Sequence, residues 1–244
     1  MAVRIRASRV FIGMVAILVL AHLGLFLFAG LSLLRLRTEN PKVTSIMRYR
    51  GAAQDQTRPE QFLGLENIPE EIIYSTVYIE DLDFFHHRGF DFDSIRYAIQ
   101  LNRRLGYRAY GGSTITQQLA RTLFLTPRKN YVRKYVELLI ALEMELILTK
   151  QRILELYLNY AEWGNGIYGV SQAAEHYFAQ DVFQLSLEEK LRLVTVLPSP
   201  LLYSPHTFAS NPVLVSRYRA LLRLSQRLAH RPPTFRSQLR RVGE

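Results

Sequence analysis

Tyr78-Ile79-Glu80-Asp81-Leu82-Asp83-Phe84-Phe85-His86-His87-Arg88-Gly89-Phe90-Asp91 crowds four carboxylates, two histidines and three phenylalanines into one short span. A solvated charged turn has no need of so many aromatic rings. A carboxylate held among apolar rings has its charged form disfavoured, which moves its pKa towards general-base use. His86 and His87 are adjacent, so their side chains diverge on most backbones, and no H-E-x-x-H spacing occurs. A zinc site needs three or four converging ligands. A structural hydrogen-bonding role for one of the two histidines is the expectation.

Downstream, Gly111-Gly112-Ser113-Thr114-Ile115-Thr116-Gln117-Gln118-Leu119 runs from two glycines into hydroxyl-rich residues. Such a helix start offers backbone N–H groups and hydroxyls to an anion, and it is equally an ordinary N-cap. Arg128, Lys129, Arg133 and Lys134 then precede Glu137. Arg133, Lys134 and Glu137 lie three or four apart and share one helix face. They make either a surface salt-bridge face or a cationic cradle with a carboxylate beside it. Gly164-Asn165-Gly166-Ile167-Tyr168-Gly169 spells G-x-G-x-x-G, but a helix-like run precedes it where a dinucleotide site needs a strand. A tight turn between two helices is expected there.

Upstream, Val10 to Leu34 is free of Lys, Arg, Asp and Glu. As a helix this run spans roughly 37 Å, against a hydrocarbon core of ~30 Å. It is too long for a cleaved signal, so it reads as an uncleaved transmembrane anchor. Arg4, Arg6 and Arg9 argue for a cytoplasmic N-terminus, but Arg35, Arg37, Lys42, Arg48 and Arg50 flank the other end. The charge rule therefore leaves the orientation open.

The remaining chain reads as helices opening at Pro69, over Asp93–Leu105, Thr114–Phe124, 129–149 and Gln151–Trp163. Two more follow the capping-box spacing Ser186 to Glu189 and the pair Asn211-Pro212, the last basic and running to about His230. No two-residue alternation bounded by turns appears. The class is mainly α. The expected organisation is a cytoplasmic segment 1–9, a transmembrane helix 10–34, a juxtamembrane linker 35–67 and a catalytic domain 68–244. The 244 residues carry 48% hydrophobic side chains, enough for a sizeable core. A net charge of +10 points to an anionic partner: nucleic acid, lipid headgroups or a phosphorylated substrate. The C-terminal stripe Arg217, Arg219, Arg223, Arg227 and Arg231 reads as a solvated face, or one leaning on anionic lipid. There is no cysteine, which excludes disulfides and thiolate metal sites.

Taken in order, these blocks resemble the glycosyltransferase domain of peptidoglycan synthases, a family that includes class A penicillin-binding proteins and the monofunctional transglycosylases. Glu80, Asp81, Phe84, His87, Gly89 and Asp91 fit E-D-x-x-F-x-x-H-x-G-x-D. Gly112 to Gln118 fits G-S-T-I-T-Q-Q. Arg133, Lys134 and Glu137 fit R-K-x-x-E, and Ile153 to Asn159 fits I-L-E-x-Y-L-N. Leu197-Pro198-Ser199-Pro200 falls where a terminal proline motif is expected. The likeness is to the monofunctional type: Ala161-Glu162-Trp163-Gly164 resembles the shorter enzymes, and no S-x-x-K transpeptidase nucleophile occurs. The chain departs from the family at Arg121-Thr122, where Lys-Asn is usual, and at Lys190, where Ala is favoured and a surface change is expected.

The resemblance implies a lysozyme-like fold and an enzyme that joins disaccharide units of lipid II. The growing strand on undecaprenyl diphosphate is the donor and a new lipid II the acceptor. Glu80 is implied as general base. Arg121, Arg133 and Lys134 would stabilise the diphosphate leaving group, and Glu137 would orient those cations or hold a divalent metal, Mg2+ or Mn2+, on the diphosphate. Ser113, Thr114 and Gln118 would bind the donor, and Asp81, Phe84 and His87 would shape the substrate pocket around Glu80. The partners implied are lipid II, the lipid-linked strand, the membrane and other cell-wall synthases, not nucleic acid. The implied location is the bacterial inner membrane, single-pass, with the catalytic domain periplasmic. Arg103, Arg104, Tyr107, Arg108 and Tyr110 suggest a mobile segment touching the membrane. Two competitors are a lysozyme-like hydrolase, which would need no diphosphate cradle, and a non-enzymatic membrane scaffold.

Overall fold

A computed structural model describes residues 2–51, 62–106, 111–128 and 130–229, and of residues 2–10 and Leu105 the backbone alone. Arg231 and the segment residues Tyr107, Arg108 and Tyr110 lie outside the described residues, as does Lys129. Ten α-helices are described: α1 (Ala2–Arg35), α2 (Ser45–Tyr49), α3 (Glu70–Glu80), α4 (Phe92–Leu105), α5 (Ile115–Phe124), α6 (Tyr131–Ile147), α7 (Lys150–Tyr160), α8 (Val170–Phe178), α9 (Leu187–Thr195) and α10 (Pro212–Ala229). The mainly α class is the one expected.

The helices start where short polar side chains offer an acceptor to the free N–H groups of the first turn. Thr114 and Ser186 make capping boxes with Gln117 and Glu189. Asp91, Asn130 and Thr149 cap α4, α6 and α7. Pro69 is the cap of α3 rather than its first residue.

The G-x-G-x-x-G stretch is not a simple turn between helices. Glu162–Gly164 (β1) pairs antiparallel with Ile167–Tyr168 (β2) around Gly166 at φ +75°. Strands of three and two residues are too short for alternation to show in sequence. Gly169 sits at φ +84°, and a Cβ there would lie 2.5 Å from the Asn159 carbonyl oxygen. The glycine serves close backbone packing, not a phosphate.

The core forms around α5, α6 and α7, with α3 packed on α9 and α10 on α9. Leu119, Met144, Ile153, Leu154 and Trp163 are fully enclosed. The expected boundary between linker and domain does not hold. Leu36, Ile46, Met47 and Leu63, assigned to a linker, are buried in this core, as are Ala29 and Leu33 of α1. What pins the segment is α7. Asn159 accepts from the Leu63 N–H at 2.9 Å and donates to its carbonyl at 2.8 Å. Tyr160 donates to the Pro41 carbonyl, and Arg152 donates to the carbonyls of Leu36 and Glu39. The I-L-E-x-Y-L-N block thus holds the chain that follows α1.

Helix α1 is long and apolar enough to cross a membrane, and none of its most apolar 18-residue window is buried, unlike a core helix. Its C-terminal half lies along α6. His22 Nε2 is 2.9 Å from Tyr135 Oη. Gly30 faces Glu143. Positions 22 and 30 thus meet 135 and 143 in the same order, so the two helices run parallel.

Candidate active site

Glu80 is the last residue of α3, and Asp81 leaves the helix with extended geometry. Gln118 Nε2 donates to Glu80 Oε2 at 2.6 Å. Oε1 is buried and takes no hydrogen bond among the described residues. Burial pushes the Glu80 carboxyl above its ordinary range. The Gln118 hydrogen bond and the positive charges of Arg217 and Arg121 partly offset this, while Asp81 adds to it. The residue as a whole keeps some surface open to solvent, although Oε1 itself is buried.

Asp81, Phe84 and His87 turn inward, with little side-chain surface left exposed. Phe84 has no exposed surface; its ring packs against Phe85 and His87, with Lys150 Nζ 4.4 Å from its centroid. Asp81 accepts from His87 Nε2 at 2.9 Å and from the Ile115 N–H at 2.9 Å. This joins the end of α3 to the first turn of α5, where a negative charge is favoured by the free N–H groups. The structural role expected of one histidine falls to His87. Beneath them Glu145 accepts from Thr116 at 2.5 Å and from Lys150 at 2.8 Å.

Thr114 is also committed. Its hydroxyl donates to the Gly89 carbonyl at 2.7 Å and accepts from the Gln117 N–H, leaving no surface for a donor sugar. Thr122, in place of the usual Asn, donates to the Gln118 carbonyl at 3.0 Å and is buried. Gln118 spends its side chain on Glu80.

The cradle lies on α6. Glu137 is fully buried and paired through one oxygen with Arg133 and through the other with Lys134. Lys134 Nζ also donates to Ser113 Oγ at 2.9 Å and to Gln117 Oε1 at 3.4 Å. Its side chain is still 43% exposed, so the ammonium can meet an anion. A buried carboxylate that neutralises and orients two cations leaves their outward charge aimed at solvent. Arg121 adds a partly exposed positive charge from α5.

Two features escaped the sequence reading. Arg217, read as part of a solvated stripe, donates to the Thr195 carbonyl at 2.9 Å, stacks over Tyr203, and brings its charge within reach of Glu80. Lys190, read as a surface change, bridges from α9 to Glu71 of α3 at 3.4 Å. No local pattern signals either, because each contact joins elements far apart in sequence. Gly112 is also forced: a Cβ there would lie 2.8 Å from the Ile95 Cα.

The family model described as Transglycosylase matches residues 47–225. The chain is similar to the biosynthetic peptidoglycan transglycosylase of Azoarcus sp. (strain BH72), 43% identical over 172 residues, 68% of this chain and 74% of that one. It is 42% identical over 186 residues to the protein of that name from Alcanivorax borkumensis, covering 76% of this chain and 74% of the relative. The corresponding protein of Aromatoleum aromaticum is 40% identical over 202 residues, 81% and 86% of the two chains.

Proposed function

The chain belongs to the transglycosylase family and is a peptidoglycan glycosyltransferase of lysozyme-like fold acting in cell-wall synthesis; on that premise we propose how its residues polymerise lipid II. The observation that carries the reading is the double reach of α5. Gln118 holds Glu80, while Ser113 and Gln117 hold Lys134, so one helix and its leading turn set the base and the cationic cradle in fixed relation.

Glu80 takes the proton from the acceptor's 4-hydroxyl. That oxygen bonds to the donor's anomeric carbon as the bond to the diphosphate oxygen breaks, with inversion. The leaving group departs as undecaprenyl diphosphate and already carries negative charge, so it calls for electrostatic stabilisation more than for a proton. Lys134, Arg133 and Arg121 supply it. Ser113 and Glu137 keep Lys134 pointed, and Asp81, His87 and Phe84 keep Glu80 in place from behind.

The residues present do not build a metal site at Glu137. Both of its oxygens are committed to Arg133 and Lys134, and no three His, Asp or Glu side chains converge among the described residues. No step here is routed through a divalent ion; one that accompanies the diphosphate would be held by the substrate.

Both substrates are lipids. We place α1 across the inner membrane with residues 1–9 cytoplasmic and the catalytic domain periplasmic. The contact of α1 with α6 ties the catalytic domain to the anchor. Exposed apolar side chains on α6 and α4, among them Tyr131, Val132, Phe92 and Tyr97, would face lipid. The test uses purified lipid II and a gel for long glycan, with wild type and Glu80→Gln. Polymer from wild type and none from the variant is expected. Release of short fragments from sacculi, with no polymer from lipid II, would point to a hydrolase instead.

A further inference from the structure

The side chain of Gln118 is held from both ends. Nε2 donates to Glu80 Oε2 at 2.6 Å, and Oε1 accepts from the Tyr157 hydroxyl at 3.3 Å. A carboxamide has one donor end and one acceptor end, whereas an ionised carboxylate only accepts. If the amide turned over, its oxygen would oppose Glu80 Oε2 at the same short distance. The acceptor-only carboxylate therefore selects the donor end of the amide, and the Tyr157 hydroxyl, donating to the other end, holds the amide in that orientation.

Tyr157 sits on α7, buried at 2% exposure. Burial first, and then the negative charge of Glu80, push its phenol well above the usual tyrosine range, so the hydroxyl keeps its proton and donates. The backbone of Gln118 is fixed independently by α5 and by Thr122. The amide plane is then held between Glu80 and the phenol.

We propose that Tyr157 is a positioning residue for the reaction: acting through the Gln118 amide, it keeps Nε2 on Glu80 Oε2 and so holds the carboxylate in the geometry from which it takes the acceptor's proton. A second consequence follows from polarisation. A donor on the amide oxygen strengthens donation from the amide nitrogen, so Tyr157 helps keep Glu80 ionised at working pH. The other charges facing Glu80 are Arg217 from α10, Arg121 from α5 and Asp81 beside it. Those three act on Glu80 through charge, whereas the phenol acts through the orientation of the amide.

The proposal rests on Glu80 being the base. The test compares full-length wild type, Tyr157→Phe, Gln118→Ala and the double variant in lipid II polymerisation, with thermal melting of each. Phenylalanine keeps the ring and its packing. The expected result is a kcat lowered roughly three- to tenfold, a KM little changed, and an acid limb of the pH–rate profile displaced to higher pH. In the Gln118→Ala background, Tyr157→Phe should add no further loss. An equal loss in both backgrounds, or a lowered melting temperature with kcat and pH profile intact, overturns the proposal. Glu80→Gln separates the two levels. If that variant polymerises normally, the base assignment fails and the proposal with it. If it is inactive and the other two changes are simply additive, only the role of Tyr157 fails.

Discussion

Gly30 of α1 lies so close to Glu143 of α6 that a Cβ would sit 2.5 Å from the carboxyl oxygen. Glu143 is buried, Oε1 has no partner among the described residues, and burial raises its carboxyl above the ordinary range. Glu137, Lys134 and Arg133 stand roughly two to three turns earlier on the same helix. The seat of the anchor is thus also a support of the cradle.

A side chain at position 30 should disturb that seat. Gly30→Ala asks only the end of one flexible side chain to move. Gly30→Leu must push α1 and α6 apart, at about 1–3 kcal/mol for overpacking. The expected outcome for Leu is a lower melting temperature in detergent and reduced polymerisation, with membrane extraction behaviour unchanged. If polymerisation of lipid II by Gly30→Leu equals wild type, the anchor is only a tether.

The raised pKa of Glu80 fixes the direction of the pH dependence. The base must be ionised, so kcat/KM should rise with pH along a limb lying above the ordinary glutamate range. Stability runs the other way. A carboxyl with a raised folded-state pKa favours the fold below its unfolded pKa and loses that share as pH rises through the folded value. Glu80→Gln should therefore melt higher than wild type at neutral and alkaline pH, with the advantage vanishing in acid. Paired melting curves across pH test the sign.

Glu137 should behave as a buried counter-charge. Glu137→Ala leaves Arg133 and Lys134 unpaired, and loss of one partner of a buried pair costs about 3 kcal/mol, the low end of the range because Lys134 is partly exposed. Activity should fall further than stability accounts for, since Lys134 loses its aim. Glu137→Gln, which keeps an acceptor but not the charge, should lie between. Activity loss in proportion to unfolding alone would reduce Glu137 to a structural residue.

The helices were legible because caps and apolar spacing are local: Thr114, Ser186 and Asn211 mark starts that the structure keeps. The cradle was legible too, since Arg133, Lys134 and Glu137 lie on one helix face. What sequence could not show was direction. Asp81 and Phe84 share a motif with Glu80, and Thr114 stands in the next, yet all three face inward, and only tertiary packing shows which way each side chain turns. The same limit hid Arg217, whose partners lie on other elements. The linker boundary failed for a related reason. Leu36, Ile46 and Leu63 are too sparse to read as a buried face until α7 is laid against them.

Asp81 offers the sharpest test of support from behind. Its carboxylate ties His87 to the first turn of α5, and α5 carries the glutamine that holds Glu80. Asp81→Ala leaves the buried Ile115 N–H without its acceptor, at about 1–3 kcal/mol, and frees the start of α5. Asp81→Asn keeps an oxygen for that N–H but loses the charge facing His87. The alanine variant should therefore lose more stability and more activity than the asparagine variant, with kcat falling and KM for lipid II little altered, since neither change touches the cradle. Melting curves and steady-state polymerisation of both variants check this. Equal losses would mean that the charge on Asp81, not the tie to α5, is what the site requires.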